Sequence, residues 1–129
     1  MAFHLRLALG LTMLMGFDGA ALAVSNPTRG QILYQNLCIA CHSIDYNGAG
    51  PAHKNLFGRK AGSLPDYNYS PALTSSDIVW NAATLDKWLR NPEKFVPGQK
   101  MGIMVPSAQD RADLIAYLKN AKASPAAQP

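Results

Sequence analysis

The sequence predicts an all-α domain with long loops, and three observations carry that prediction. Apolar residues recur at helical spacing in three stretches, 29–37, 83–91 and 107–121. No stretch alternates polar and apolar residues as a half-buried strand does. After the first helical stretch come roughly thirty-five residues punctuated by Gly and Pro, which is long for a compact domain. Something other than secondary structure must order them.

The chain has 129 residues, 48% hydrophobic and 16% charged, which suits one domain with a modest core. Residues 1–23 stand apart. Arg6 gives a basic start, 7–17 is an apolar run, and Ala21, Leu22 and Ala23 form a small-x-small cleavage site, the layout of a secretory signal peptide. The run is too short to span a bilayer core of about 30 Å, and Asp18 follows it directly. We therefore expect a cleaved signal peptide at 1–23, a single domain at 24–123, a loose tail at 124–129, and export to the periplasm. The mature chain should not insert into a membrane.

Losing the leader removes one basic residue, Arg6, and one acidic residue, Asp18, so the net charge stays at +4. That is enough to aid solubility and to steer an acidic partner. No run of Lys and Arg interleaved with aromatics appears, so nucleic acid is not an expected partner.

The first helix follows the turn Asn26-Pro27-Thr28, which reads as ending in a cap, and carries Gly30, Leu33, Tyr34 and Leu37 on one face. Gly30 costs about 1 kcal/mol against alanine in a helix, so a close helix crossing is expected there. The second helix places Leu85, Trp88 and Leu89 together and is closed by Pro92. Phe95-Val96-Pro97-Gly98 reads as a tight turn. The last helix starts at Ser107, with Asp110 in a capping-box position, and its apolar face is Leu114, Tyr117, Leu118 and Ala121.

The first helix runs straight into Cys38-Ile39-Ala40-Cys41-His42. Two thiols separated by two residues and followed by an imidazole form the attachment signature of a c-type haem. One helical turn lets both thiols reach the haem vinyl groups, and the histidine then projects under the ring toward iron. Three other uses compete. A thioredoxin-like pair belongs in a βαβ setting. A zinc site needs about four ligands, and beyond this motif only His53 remains among mature His and Cys residues. A CxxC disulfide would be short and strained. A buried haem would also order the long loops.

A second axial ligand is expected from Met101 or Met104, the only methionines beyond the leader, both in an irregular stretch bounded by Pro97 and Pro106. Spacing does not choose between them: one is expected to be the ligand and the other apolar filler. His53 is the alternative, giving a bis-histidine site.

Taken together these residues resemble the class I cytochromes c, of the mitochondrial and bacterial c2 types, across nearly all of residues 24–123. The resemblance rests on Gly30 and Tyr34, Cys38-x-x-Cys41-His42, Gly50-Pro51, Leu56-Phe57-Gly58-Arg59-Lys60, Tyr67-x-Tyr69-Ser70 and Trp80. It continues in Trp88-Leu89-x-Asn91-Pro92, Pro97-Gly98-x-Lys100-Met101 and 113–119. It implies crossed terminal helices, with loops wrapped around one haem c bound through Cys38 and Cys41. It further implies His42 and Met101 as iron ligands, and Pro51 accepting a hydrogen bond from His42. Arg59, Tyr69 and Trp80 would surround the haem propionates. Lys100 takes the position of an alternative ligand at alkaline pH.

The function so implied is that of a soluble one-electron carrier, not an enzyme. It would act as a monomer that docks transiently on membrane-bound redox complexes, shuttling from a donor complex to a terminal oxidase, reductase or photosynthetic reaction centre. Some positions depart from the family pattern. His53 replaces a leucine, Trp88 a tyrosine and Leu73 a polar residue, while Leu37 and Glu93 stand at two customary lysine positions. Docking should accordingly be more apolar and less salt-sensitive.

Overall fold

The computed structural model describes residues 24–122; the expected signal peptide and the tail at 124–129 lie outside them. The architecture is all-α with long loops: α1 (Pro27–Leu37), α2 (Pro71–Thr74), α3 (Ala82–Arg90), α4 (Pro92–Phe95) and α5 (Ala108–Asn120). One isolated antiparallel bridge joins Lys60 to Val79.

Local chemistry sets each boundary. α1 begins two residues earlier than the sequence suggests, because Asn26 is the cap: its side chain accepts from the N–H groups of Thr28 and Arg29. Pro27, which has no N–H to satisfy, takes the first helical position. Pro71 and Pro92 open α2 and α4 in the same way. Pro92 therefore starts a helix as well as following the end of α3. Both α2 and α4 are single turns without periodicity to announce them. The tight turn lies one residue later than expected, with the Gln99 N–H donating to the Val96 carbonyl and Gly98 at φ +87°.

The first and last helices cross, and the crossing depends on Gly30. A Cβ built there would overlap the backbone carbonyl of Asp113, so only a hydrogen atom allows the approach. Tyr34, one turn further along α1, packs on Tyr117 of α5 with ring centroids 5.2 Å apart. Polar groups tie the same crossing. Arg29 bridges Asp110 and Asp113, and the Asn26 N–H donates to Asp113 Oδ1 at 2.7 Å. Asp110 meets the Ser107 hydroxyl only through its backbone N–H, its carboxylate being engaged with Arg29.

α5 buries more than its expected face. Leu114, Ile115 and Leu118 are buried, but so are Arg111 and Asp113, each under 5% exposed. The Arg111 guanidinium donates to Asp86 of α3 and to the carbonyls of Val105 and Pro106. Burial pushes the Asp113 carboxyl up, yet the hydrogen bonds from Asn26, Arg29 and Gln109 outweigh this and hold it below the usual range.

Gly30→Ala should force the helices apart and lower the stability of the haem-bearing protein by about 2–3 kcal/mol, read from its denaturant midpoint. Asp113 has a depressed folded pKa, so its carboxylate stabilises the fold above the unfolded value of 3.8, and that stability is lost as pH falls through the folded pKa. Asp113→Asn should thus unfold at lower denaturant at pH 7, with the gap to wild type narrowing as pH drops below 3.8.

Candidate functional site

Where α1 ends, the N–H groups of Cys41 and His42 both donate to the Cys38 carbonyl, at 3.0 and 2.8 Å. This single turn brings both sulfurs and the imidazole to one cavity of about 340 Å³. Every residue expected at the site lines it: Cys38, Cys41, His42, Pro51, Arg59, Tyr69, Trp80 and Met101. Met104 does not; it is 56% exposed. The remaining walls are largely apolar, with Leu56, Leu73, Leu85, Trp88 and Leu89 among them.

The thiols do not resemble a reactive redox pair. Burial, with Cys41 beside it, pushes the Cys38 thiol up to about 11, whereas a redox dithiol needs a lowered pKa. The pair also follows a helix rather than opening one. Among the described residues no group of three or more His, Cys, Asp and Glu is placed to hold a metal ion.

Two neighbours fix His42. Its Nδ1 lies 2.8 Å from the Pro51 carbonyl, and since a carbonyl only accepts, Nδ1 carries the proton and Nε2 the free lone pair. Burial lowers its pKa, partly offset by the Pro51 bond. The Gly50 backbone walls the ring closely: a Cβ there would overlap His42 Cε1, Nδ1 and Nε2.

His53 lines the same cavity and stacks on His42, with centroids 4.1 Å apart and planes 22° from parallel. The half-buried imidazole of His53 finds a partner in the Tyr34 hydroxyl, 3.1 Å from its Nδ1. Burial, then His42, then Arg59 press its pKa well below the ordinary histidine value.

Side chains hold the irregular backbone around these groups. Arg59 donates to the carbonyls of Ala52 and Lys54. Asn47 accepts from the Ala52 N–H and donates to the Asp66 carbonyl. The Tyr67 hydroxyl donates to Ala49. On the other flank, both Glu93 oxygens accept hydrogen bonds, from the Gly98 N–H at 3.0 Å and from Gln99 Nε2 at 3.2 Å. The Gln99 side-chain oxygen Oε1 in turn accepts from the Met101 N–H.

The donor set fits a covalently held haem: two sulfurs one turn apart, an imidazole with a free Nε2, a thioether, and apolar walls. Sequence reading missed how Glu93, Gln99 and Arg111 brace the segment carrying Met101, and the tie from Tyr34 to His53. The requirement that a buried imidazole find a partner was the one available signal for the last. Gly50→Ala should turn the His42 ring away from Pro51, seen as loss of the slowly exchanging His42 Nδ1–H resonance in proton NMR of the haem-bearing protein.

Comparison with known proteins agrees with this geometry. Residues 27–122 match the family model described as Cytochrome c. The chain is 42% identical over 106 residues to cytochrome c2 of Rhodomicrobium vannielii, covering 79% of this chain and 84% of that protein. To cytochrome c2 of Rhodopila globiformis it is 44% identical over 100 residues, covering 75% and 94%. Among solved structures, cytochrome cH from Methylobacterium extorquens superposes with a TM-score of 0.70 at 38% identity, over 74% of this chain and 98% of that one. The chain belongs to the cytochrome c family as a class I c-type cytochrome, an electron carrier rather than an enzyme, with haem c bound covalently through Cys38 and Cys41.

Proposed function

We propose that this chain shuttles single electrons in the periplasm, between a membrane-bound donor complex and a terminal oxidase, reductase or photosynthetic reaction centre, with residues 1–23 removed on export. The observation that carries the proposal is that His42 and Met101, from distant segments, line one cavity. If both held the iron of a bound haem, no open position would remain for a substrate.

The haem supplies the one-electron chemistry, its iron alternating between ferric and ferrous. The chain's own residues set how readily. Met101 offers a neutral, soft thioether, which favours the ferrous state. The Pro51 carbonyl holds the His42 tautomer and makes its Nε2 a better donor. Apolar walls keep water from the centre, which also favours the lower charge. Arg59, Tyr69 and Trp80 offer polar edges to the propionates.

The surface beside the cleft suits brief apolar docking. Leu37 and Ile103 line the cavity yet are 40% and 46% exposed, so they form part of its rim. Ile39 and Met104, beside them in sequence, are 59% and 56% exposed. A small apolar rim supports rapid exchange of partners.

The test is the visible spectrum of protein matured with haem. Met101→Ala should abolish the weak absorption at the red end that marks iron–thioether bonding, while Met104→Ala retains it. A high-spin resting spectrum with rapid peroxide turnover in the wild type would overturn the carrier reading. Oxidation by a membrane oxidase should change less than about threefold between about 20 and 200 mM salt; a steep fall would show that charge, not the apolar rim, governs docking.

A further inference from the structure

We propose that His53 is a positioning residue that sets the plane of the His42 imidazole through a relay from the crossing of α1 and α5. The inference rests on His42 being the iron ligand.

The hydrogen bond from His42 Nδ1 to Pro51 restrains one edge of the ring. The Gly50 backbone closes on the ring from nearby. The stack adds a restraint by a flat face, with the two rings 4.1 Å apart and only 22° from parallel. Rocking His42 would open a gap against one side of His53 and compress the other. Both cost van der Waals contact.

His53 can act as a reference plane because it is itself fixed at two points. Its backbone N–H donates to the carbonyl of Ser43 at 2.9 Å, the residue next to His42. Its Nδ1 meets the Tyr34 hydroxyl at 3.1 Å. Tyr34 is buried, 3% exposed, and lies edge-on to His53 at 5.7 Å. It also packs on Tyr117 of α5. The relay therefore runs from the helix crossing through Tyr34 and His53 to His42. An aliphatic side chain at position 53 would fill volume, but it offers neither a flat face to the imidazole nor a polar edge to Tyr34.

The orientation of an axial imidazole, together with that of a thioether opposite, sets how unpaired spin would spread over a ferric low-spin haem, so the haem methyl resonances in proton NMR respond to it. A residue that merely filled space would leave that pattern unmoved. The experiment compares haem-bearing wild type with His53→Leu, His53→Phe and Tyr34→Phe, each checked for its unfolding midpoint. His53→Leu should rearrange the methyl resonances. His53→Phe, which keeps a flat ring, should return most of the wild-type pattern. Tyr34→Phe, the mildest change, should shift the pattern in the same sense as His53→Leu but less. The inference is overturned if His53→Leu folds with the wild-type methyl pattern, or if His53→Phe departs as far as His53→Leu. Should His53→Leu fail to fold, Tyr34→Phe decides: an unmoved pattern overturns the inference. Failure of the underlying ligand reading looks different, because the wild type itself would then lack a low-spin His/Met spectrum.

Discussion

The absence of a side chain at Gly30 is the constraint on which the rest of the structure depends. Any Cβ there would overlap the Asp113 carbonyl, so the approach of α1 to α5 is set by backbone contact rather than by adjustable side chains. Both proposed axial residues hang from this crossing. α1 runs into the turn that carries Cys38, Cys41 and His42. α5 supplies Arg111, whose guanidinium holds the carbonyls of Val105 and Pro106 at the end of the segment bearing Met101. A rigid crossing thus fixes the distance between two otherwise unconnected pieces of irregular chain. For an electron carrier such rigidity is functional, since limited ligand rearrangement between oxidation states keeps the transfer barrier low.

The loops between α1 and α3 meet the cost of ordering in another way. Fixing one backbone residue costs about 1–2 kcal/mol, and few helical hydrogen bonds offset it here. Instead Asn47, Arg59 and Tyr67 spend their polar groups on backbone carbonyls and N–H groups of neighbouring loop residues. Their apolar neighbours face a cavity that a covalently attached haem fills. Fold and cofactor are therefore coupled: the ring covers apolar wall, and the walls keep the ring dry.

How far the sequence could be read follows from which features are stoichiometric and which are spatial. Two thiols must sit one turn apart to reach two vinyls, so Cys38, Cys41 and His42 were legible from spacing alone. Met101 and Met104 were not separable that way, because an irregular segment has no period; the resemblance implies Met101, and of the two only Met101 lines the cavity. Pro92 read as a stop when it is also a start, since a proline suits a first helical turn as well as it ends the previous one. The burial of Arg111 and Asp113 was not legible, because periodicity assigns charge to the outside. Their burial depends on partners from α1, α3 and the methionine segment, and no local pattern encodes a distant partner.

The departures from the family pattern fall into two physically distinct groups. His53 and Trp88 line the cavity wall, where they alter what surrounds the iron ligands. Leu37 and Glu93 stand where the resemblance places lysines facing a partner. Leu37 leaves apolar surface at the cleft rim. Glu93 turns its carboxylate onto its own chain, accepting from Gly98 and Gln99. A positive charge there could hold no backbone N–H, so this substitution trades long-range steering for local bracing of the segment that bears Met101. On the proposed function the two groups would act on separate steps: His53 and Trp88 on how strongly the iron holds its electron, and Leu37 and Glu93 on how a partner docks.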